Sequence, residues 1–262
     1  MKKIILLNIV IFILGIQIIN AQKERIEYLP NFDKRTIHFG YYIGVNSNSF
    51  KVSYFDQSGF DPASPVNPVP PQDMFVSINS SVGFNLGFVI DYRLHKNVNL
   101  RFEPGLMSNS KEITFIDPNL DAAPDGIPIY KESTTDPVRK IAGTYMHLPL
   151  LLKFSANRMN NIRPYIIGGV SFDYNFSSNQ DNNKDNWEAE FRMKKSNFMY
   201  EVGIGMDFYF YFFKFTPSIR GIFAINNELV QDEERDPQYS SPWTGPIDYF
   251  GTRGVFLNLT FE

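Results

Sequence analysis

The chain has 262 residues, a net charge of −3, a pI near 5.7 and no cysteine. That length suits one domain with long loops. The lack of a basic field excludes a general nucleic-acid binder. The lack of cysteine excludes disulfides, thiolate metal sites and lipid anchoring through an N-terminal Cys. Aromatic weight is carried by 25 Phe and 14 Tyr against 2 Trp, without long apolar runs, and this points to strands with two unlike faces.

Residues 1–21 read as a signal peptide. Lys2 and Lys3 precede an apolar run from Ile4 to Ile19, and Ala21 offers a small residue before a cleavage point at Gln22. A charged leader follows over 22–35, with Lys23, Glu24, Arg25, Glu27, Asp33 and Lys34 set among Ile26, Tyr28, Leu29 and Phe32. Its composition suits either a docking element or a flexible tether. No later segment approaches 18 consecutive apolar residues, so any membrane crossing must use strands.

From Ile37 the chain alternates with period two. Ile37, Phe39, Tyr41, Ile43 and Val45 form the first strand, and Val82 through Leu94 the second, with Phe84, Leu86, Phe88 and Ile90 on one face. Then come Val98, Leu100 and Phe102; Leu148 to Phe154; and Ile166, Val170, Phe172 and Tyr174. The last three are Tyr200 to Phe208, Phe215 to Phe223, and Val255 to Phe261. The pattern predicts eight strands of about the ~9–11 residues that a tilted membrane strand needs. Long spacers at 47–81, 111–142, 178–195 and 227–252 alternate with short ones at 95–97, at 157–161 and near Tyr211 and Phe212. An up-and-down barrel over 36–262 puts the long loops outside the cell and the short turns and termini in the periplasm, as in the bacterial outer membrane. The fold class expected is all-β: an eight-stranded antiparallel transmembrane barrel.

A soluble sandwich or lipocalin-like barrel also alternates, but it would show small and charged residues as its whole exterior. Gly40, Gly44, Gly83, Gly87, Gly169, Gly203 and Gly205 fit a crowded narrow interior better than an exposed strand. Pro104, Pro149, Pro164 and Pro217 are expected at bulges or near strand ends, because a closed barrel has no edge. The stretch Asp61 to Pro71, with five prolines, reads as a stiff extended loop. The aromatic turn Phe210 to Phe213 lacks Gly, Asn and Pro and is placed at the membrane interface.

With the apolar face outward, Phe84, Leu86, Phe88, Ile90, Val202, Ile204, Leu257 and Leu259 meet lipid. Asp91, Arg93, Arg101, Glu103, Lys153, Asp173, Glu201, Asp207, Lys214 and Arg220 then face the lumen. The near balance of sign predicts paired networks, because an isolated buried charge is costly; a proton or ion path is the functional alternative. Catalysis finds little footing. Of His38, His95 and His147, only His147 reaches the outer half, and no partner is tied to it by spacing. The acidic stretch Asp181, Asn183, Asp185, Glu188 fails the calcium-loop pattern at Asn186 and Arg192. No phosphate-binding glycine motif occurs, so no metal, cofactor, nucleic acid or small-molecule substrate is expected.

The run LPNFDKRTIHFGYYIGVNSNSFKV, Leu29 to Val52, resembles the PorT (SprT) family, with Pro30, Asp33 and Lys34 ahead of His38-Phe39-Gly40. GFVIDYRLHKNVNLRFEPGL (Gly87 to Leu106) and HLPLLLKFSANRMNNIRPYIIGG (His147 to Gly169) resemble small outer-membrane barrels more widely. The family resemblance implies a component of the type IX secretion system, which exports folded cargo across the outer membrane and supports gliding in some bacteria. It implies other components of that system as partners, and no catalytic residues. Protease added to intact cells should cut within 47–81 or 227–252 and spare 157–161; cuts confined to the short turns would invert this topology.

Overall fold

The computed structural model describes residues 26–54, 75–80, 82–116, 138–181, 191–230 and 247–262. The signal segment 1–21, the first leader residues and Asp61 to Pro71 lie outside the described residues. So does most of the acidic stretch after Asp181. Ten strand segments follow a short 3-10 turn at Phe32–Lys34: β1 (Ile37–Tyr54), β2 (Phe75–Ser80), β3 (Val82–His95), β4 (Val98–Phe102) and β5 (Gly105–Ile116). The second half holds β6 (Val138–Ser155), β7 (Ile162–Asn175), β8 (Ser196–Tyr209), β9 (Lys214–Ala224) and β10 (Ile247–Phe261).

Two pairs of segments are each one interrupted strand. β4 and β5 keep a single register against β3 on one side and β6 on the other; β2 continues β3 along β5. Eight strands remain, all antiparallel, and β1 pairs with both β10 and β3. The ring is therefore closed. Followed across the ladders, Asn48 leads through Gly254, Ile222, Glu201, Gly169, Leu151, Arg101 and Asp91 back to His38 in the same strand. That stagger of ten residues (48 against 38) is the shear that tilts the strands, by about 35–45° in barrels of this kind.

The strands run further than alternation indicated. Residues 47–54, 75–80, 111–116 and 138–142, read as loop from the sequence, are strand. The reason is a change of polarity along each strand. On β1 the outward set Ile37, Phe39, Tyr41, Ile43, Val45 gives way to Ser47, Ser49 and Lys51. The inward set changes the other way, from His38, Asn46 and Asn48 to Phe50. β5 repeats this, with Leu106 then Glu112 outside and Asn109 then Ile113 inside. Along β1 as far as Val52, and along β5, the geometric parity does not change, but the hydrophobic signal swaps faces and looks like an end of alternation. Toward the loop end Phe50, Ile113, Ile141, Phe191, Met193, Leu229, Ile247 and Phe250 form an apolar core inside the barrel. Phe50 and Phe250 rings lie 4.2 Å apart. Burying each such side chain contributes about 1.5–3 kcal/mol.

The prolines meet the expectation in part. Pro104 lies at the break between β4 and β5, and Pro164 and Pro217 lie near the starts of β7 and β9. Pro149 is inside β6, paired with Ser171 on one side and opposite the β4–β5 break on the other, with no bulge. Proline removes a donor but keeps its acceptor. The carbonyls of Pro104, Pro149 and Pro164 accept from Phe88 (2.9 Å), Glu103 (3.3 Å) and Ala156 (2.9 Å). At the opposite end of the barrel, the Phe210 N–H donates to the Phe213 carbonyl at 2.9 Å. Among the described non-glycine residues only Leu29 and Asn160 have positive φ. Tyr211 and Phe212 thus close the hairpin without the left-handed backbone that calls for Gly or Asn.

Leu86→Arg, within the outward apolar band, should cost about 2–4 kcal/mol of folding free energy in a bilayer. Ser49→Arg has the same parity but lies beyond the band and should stay within about 0.5 kcal/mol of the parent. Denaturant titration in lipid vesicles measures both; equal costs would misplace the band's edge.

Candidate functional site

Among the described residues, polar chemistry concentrates on the inward face of the barrel. Room for it is made at glycines: a methyl group at Gly40 would overlap the Phe261 carbonyl and the Glu262 side chain. Around that space the structure places Asp91, Arg101, Glu103, Lys153, Asp173, Glu201, Asp207, Lys214 and Arg220, all buried. Arg93 differs from expectation. It is half-buried at the turn-end mouth, because its guanidinium reaches out of the lumen to the Asp33 carbonyl at 2.8 Å.

The buried groups form a connected series. Lys214 contacts the Glu262 carboxylate, and Glu262 lies 3.5 Å from Arg101. Arg101 reaches Glu103 at 2.5 Å and Asp91 at 3.5 Å. Glu103 lies 2.7 Å from Arg220, which lies 3.2 Å from Glu201. Glu201 and Asp173 flank His147, at 3.1 Å from Nε2 and 2.6 Å from Nδ1. A ring bearing hydrogens on both nitrogens satisfies both carboxylates. Donor and acceptor groups thus alternate from Lys214 to Asp173, and the contacts of Arg101 with Glu262 and of Glu103 with Arg220 join strands that are not neighbours in the ring. A second cluster stands beside this series. Lys153 Nζ lies 2.8 Å from each Asp207 oxygen and 4.1 Å over the Tyr165 ring, and Thr216 donates to Asp207 at 2.8 Å. Toward the loop end an asparagine shell takes over, with Asn85 donating to Asn258 at 2.6 Å and Asn109 to Asn46 at 2.7 Å.

Both ends are covered. The apolar core fills the loop end. At the turn end the leader, whose role the sequence left open, lies across the mouth. Asn161 and Arg158 hold the carbonyls of Ile26, Tyr28 and Leu29, and His38 Nε2 donates to the Phe32 carbonyl at 2.7 Å. A polar cavity of about 10 Å³ beneath Asp33 has room for roughly one water.

Three members of this interior escaped the sequence. His147 was seen without a partner; Asp173 stands directly opposite it across β6 and β7, a relation that needs the register. Glu262 continues the inward parity of Asn258 and Thr260, a signal that was present one residue past the strand. Arg163, bonded to the carbonyls of Ala156 (2.9 Å) and Lys96 (2.7 Å), lay too near a turn to be assigned a face. Both ring nitrogens of His147 thus face carboxylates, Asp173 and Glu201. Among the described residues no cluster of three or more His, Asp or Glu is placed to hold a metal.

The outward face carries Phe84, Leu86, Phe88, Ile90, Val202, Ile204 and Leu257 exposed, and Leu259 half-buried. The family described as outer membrane protein beta-barrel domain matches residues 20–230. Among solved structures, the chain is similar to the outer membrane protein OprG from Pseudomonas aeruginosa, at 11% identity and a TM-score of 0.44, covering 86% of this chain and 94% of that one. It is similar to Ail, the attachment invasion locus protein of Yersinia pestis, at 10% identity and a TM-score of 0.34, covering 87% and 98%. The outer membrane protein AlkL gives 12% identity and a TM-score of 0.35 over 93% of each chain. No curated protein matches the chain.

Lys153→Met leaves Asp207 buried without its cation and should cost about 3–5 kcal/mol. Lys153→Met with Asp207→Leu should recover most of that loss, because no lone charge remains. Unfolding of the three proteins in micelles measures the coupling; a double variant as weak as the single would mean that the pair is not a closed unit.

Proposed function

The chain belongs to the outer membrane protein beta-barrel domain family, and from that premise we propose that it is a sealed, non-enzymatic barrel of the outer membrane that acts through its exposed surfaces in type IX secretion. The observation that supports a sealed barrel is the filled lumen. Eight strands leave an interior just wide enough for side chains, and this one holds the series from Lys214 to Asp173 between an apolar core and the leader. Such a barrel has no passage for folded cargo, so activity resides in contacts with other proteins.

In this reading residues 1–21 direct export through the inner membrane, the apolar band from Phe84 and Leu86 to Leu257 and Leu259 lies against outer-membrane lipid, and the turns face the periplasm. The link to type IX secretion, and to gliding where it occurs, rests on the resemblance of Leu29 to Val52 to the PorT family. Partners are then other components of that apparatus. A small structural barrel without a secretion role is the competing reading.

Two measurements separate these. In planar bilayers the purified protein should show little steady conductance, whereas a stable large ohmic channel would make it a small porin. Deleting the gene should remove cargo from the medium and strand it in the periplasm. An unchanged secretome with altered envelope integrity would favour the structural barrel.

A further inference from the structure

The leader covers the mouth without being buried in it. None of residues 26–36 is buried, and Ile26, Glu27, Pro30, Asn31, Lys34 and Arg35 are exposed. It is held almost wholly by polar groups of the barrel. Asn161 both accepts from the Tyr28 N–H and donates to the Ile26 carbonyl, each at 2.9 Å. Arg158 donates to the carbonyls of Tyr28 and Leu29, His38 to Phe32, and Arg93 to Asp33. These contacts read a peptide backbone and are indifferent to side chains. Three side chains are read as well. The Tyr28 ring meets Tyr211 edge-on at 6.0 Å. The Phe32 ring stacks on His38 at 4.4 Å with Lys214 Nζ 4.8 Å from its centre. The Asp33 carboxylate accepts from the Tyr209 hydroxyl at 2.8 and 2.9 Å and faces Arg163 at 3.6 Å.

The geometry is that of a receptor with its ligand in place. Arg93, Arg158, Arg163 and Lys214 surround the segment, so the mouth is complementary to a carboxylate. Attachment mainly through part-buried hydrogen bonds, by a segment none of whose residues is itself buried, puts it at the low-stability end of the fold, where local release is easiest. We propose that the turn-end mouth is a peptide-binding site, occupied in cis by the leader, in which an aromatic–Asp segment of a partner protein can take the leader's place. In the orientation proposed above that partner is periplasmic. Release would also free the leader, turning one contact into two. The site does not depend on the secretion reading: it concerns only what the mouth binds.

The absence of cysteine permits a clean test on the full chain. A spin label on Glu27→Cys, an exposed position, reports whether the leader is seated. A synthetic peptide of residues 26–36 is then added to the folded protein in micelles. The label should be immobile at the start and become mobile as the peptide displaces the leader. The same peptide carrying Asp33→Asn should need at least about tenfold more to reach half-displacement, since it forfeits a charge-assisted contact. A label already mobile without peptide overturns the site, as does one that stays immobile at saturating peptide. Equal potency of the Asn peptide removes the carboxylate from the recognition. A normal secretome after gene deletion would leave these three outcomes unaffected.

Discussion

Arg101 is buried in the lumen in contact with Glu103, Asp91 and Glu262, and the fold is arranged around the need to surround such charges. A lone guanidinium in a dry lumen costs several kcal/mol; one ringed by carboxylates that are themselves paired costs far less. Each carboxylate in turn requires its own donor, and the requirement propagates through Arg220, Glu201 and His147 to Asp173. The polar interior is thus solved collectively: none of these residues can be changed without leaving a neighbour short. The same condition explains why the lumen is filled with paired side chains, and why function is sought on the surfaces.

The barrel interior changes character along its axis. Where the exterior is apolar, the interior is ionic; where the exterior turns to Ser47, Ser49 and Lys51, the interior turns to Phe50, Ile113 and Phe250. Two solvents account for this. A segment surrounded by lipid gains nothing from an apolar interior, since lipid is as apolar as the core. A segment surrounded by water folds as soluble proteins do, with apolar side chains inside. One continuous sheet is therefore a membrane barrel at one end and a water-soluble barrel at the other.

That change of solvent also explains what was legible in the sequence. Alternation from Ile37 to Val45 and from Val82 to Leu94 gave strand positions and facing, because lipid selects one face strongly. Beyond Val45 the outward residues become polar and the inward ones apolar, so Phe50 and Ile113 were hidden in stretches that read as loop. Charged lumen residues were found by parity alone, whereas their partners were not: Asp173 opposite His147 and Glu262 against Lys214 and Arg101 depend on ladder register and shear, which one strand does not carry. The leader was ambiguous for another reason. Its contacts come from the turns at Arg158 and Asn161 and from the Tyr209 hydroxyl, far away in sequence.

The seam between β10 and its neighbours shows what the ion pairs add. In/out alternation is satisfied equally well by any slip of two residues, since facing repeats with that period. Hydrophobicity therefore leaves a family of degenerate registers as the ring closes. A two-residue slip of β10 would carry Glu262 away from both Lys214 and Arg101, stranding the carboxylate inside the barrel and leaving Arg101 with Glu103 and Asp91 alone. The buried pairs act as a check digit on strand alignment: they are indifferent to which face is apolar, and they distinguish the one register in which every charge is met.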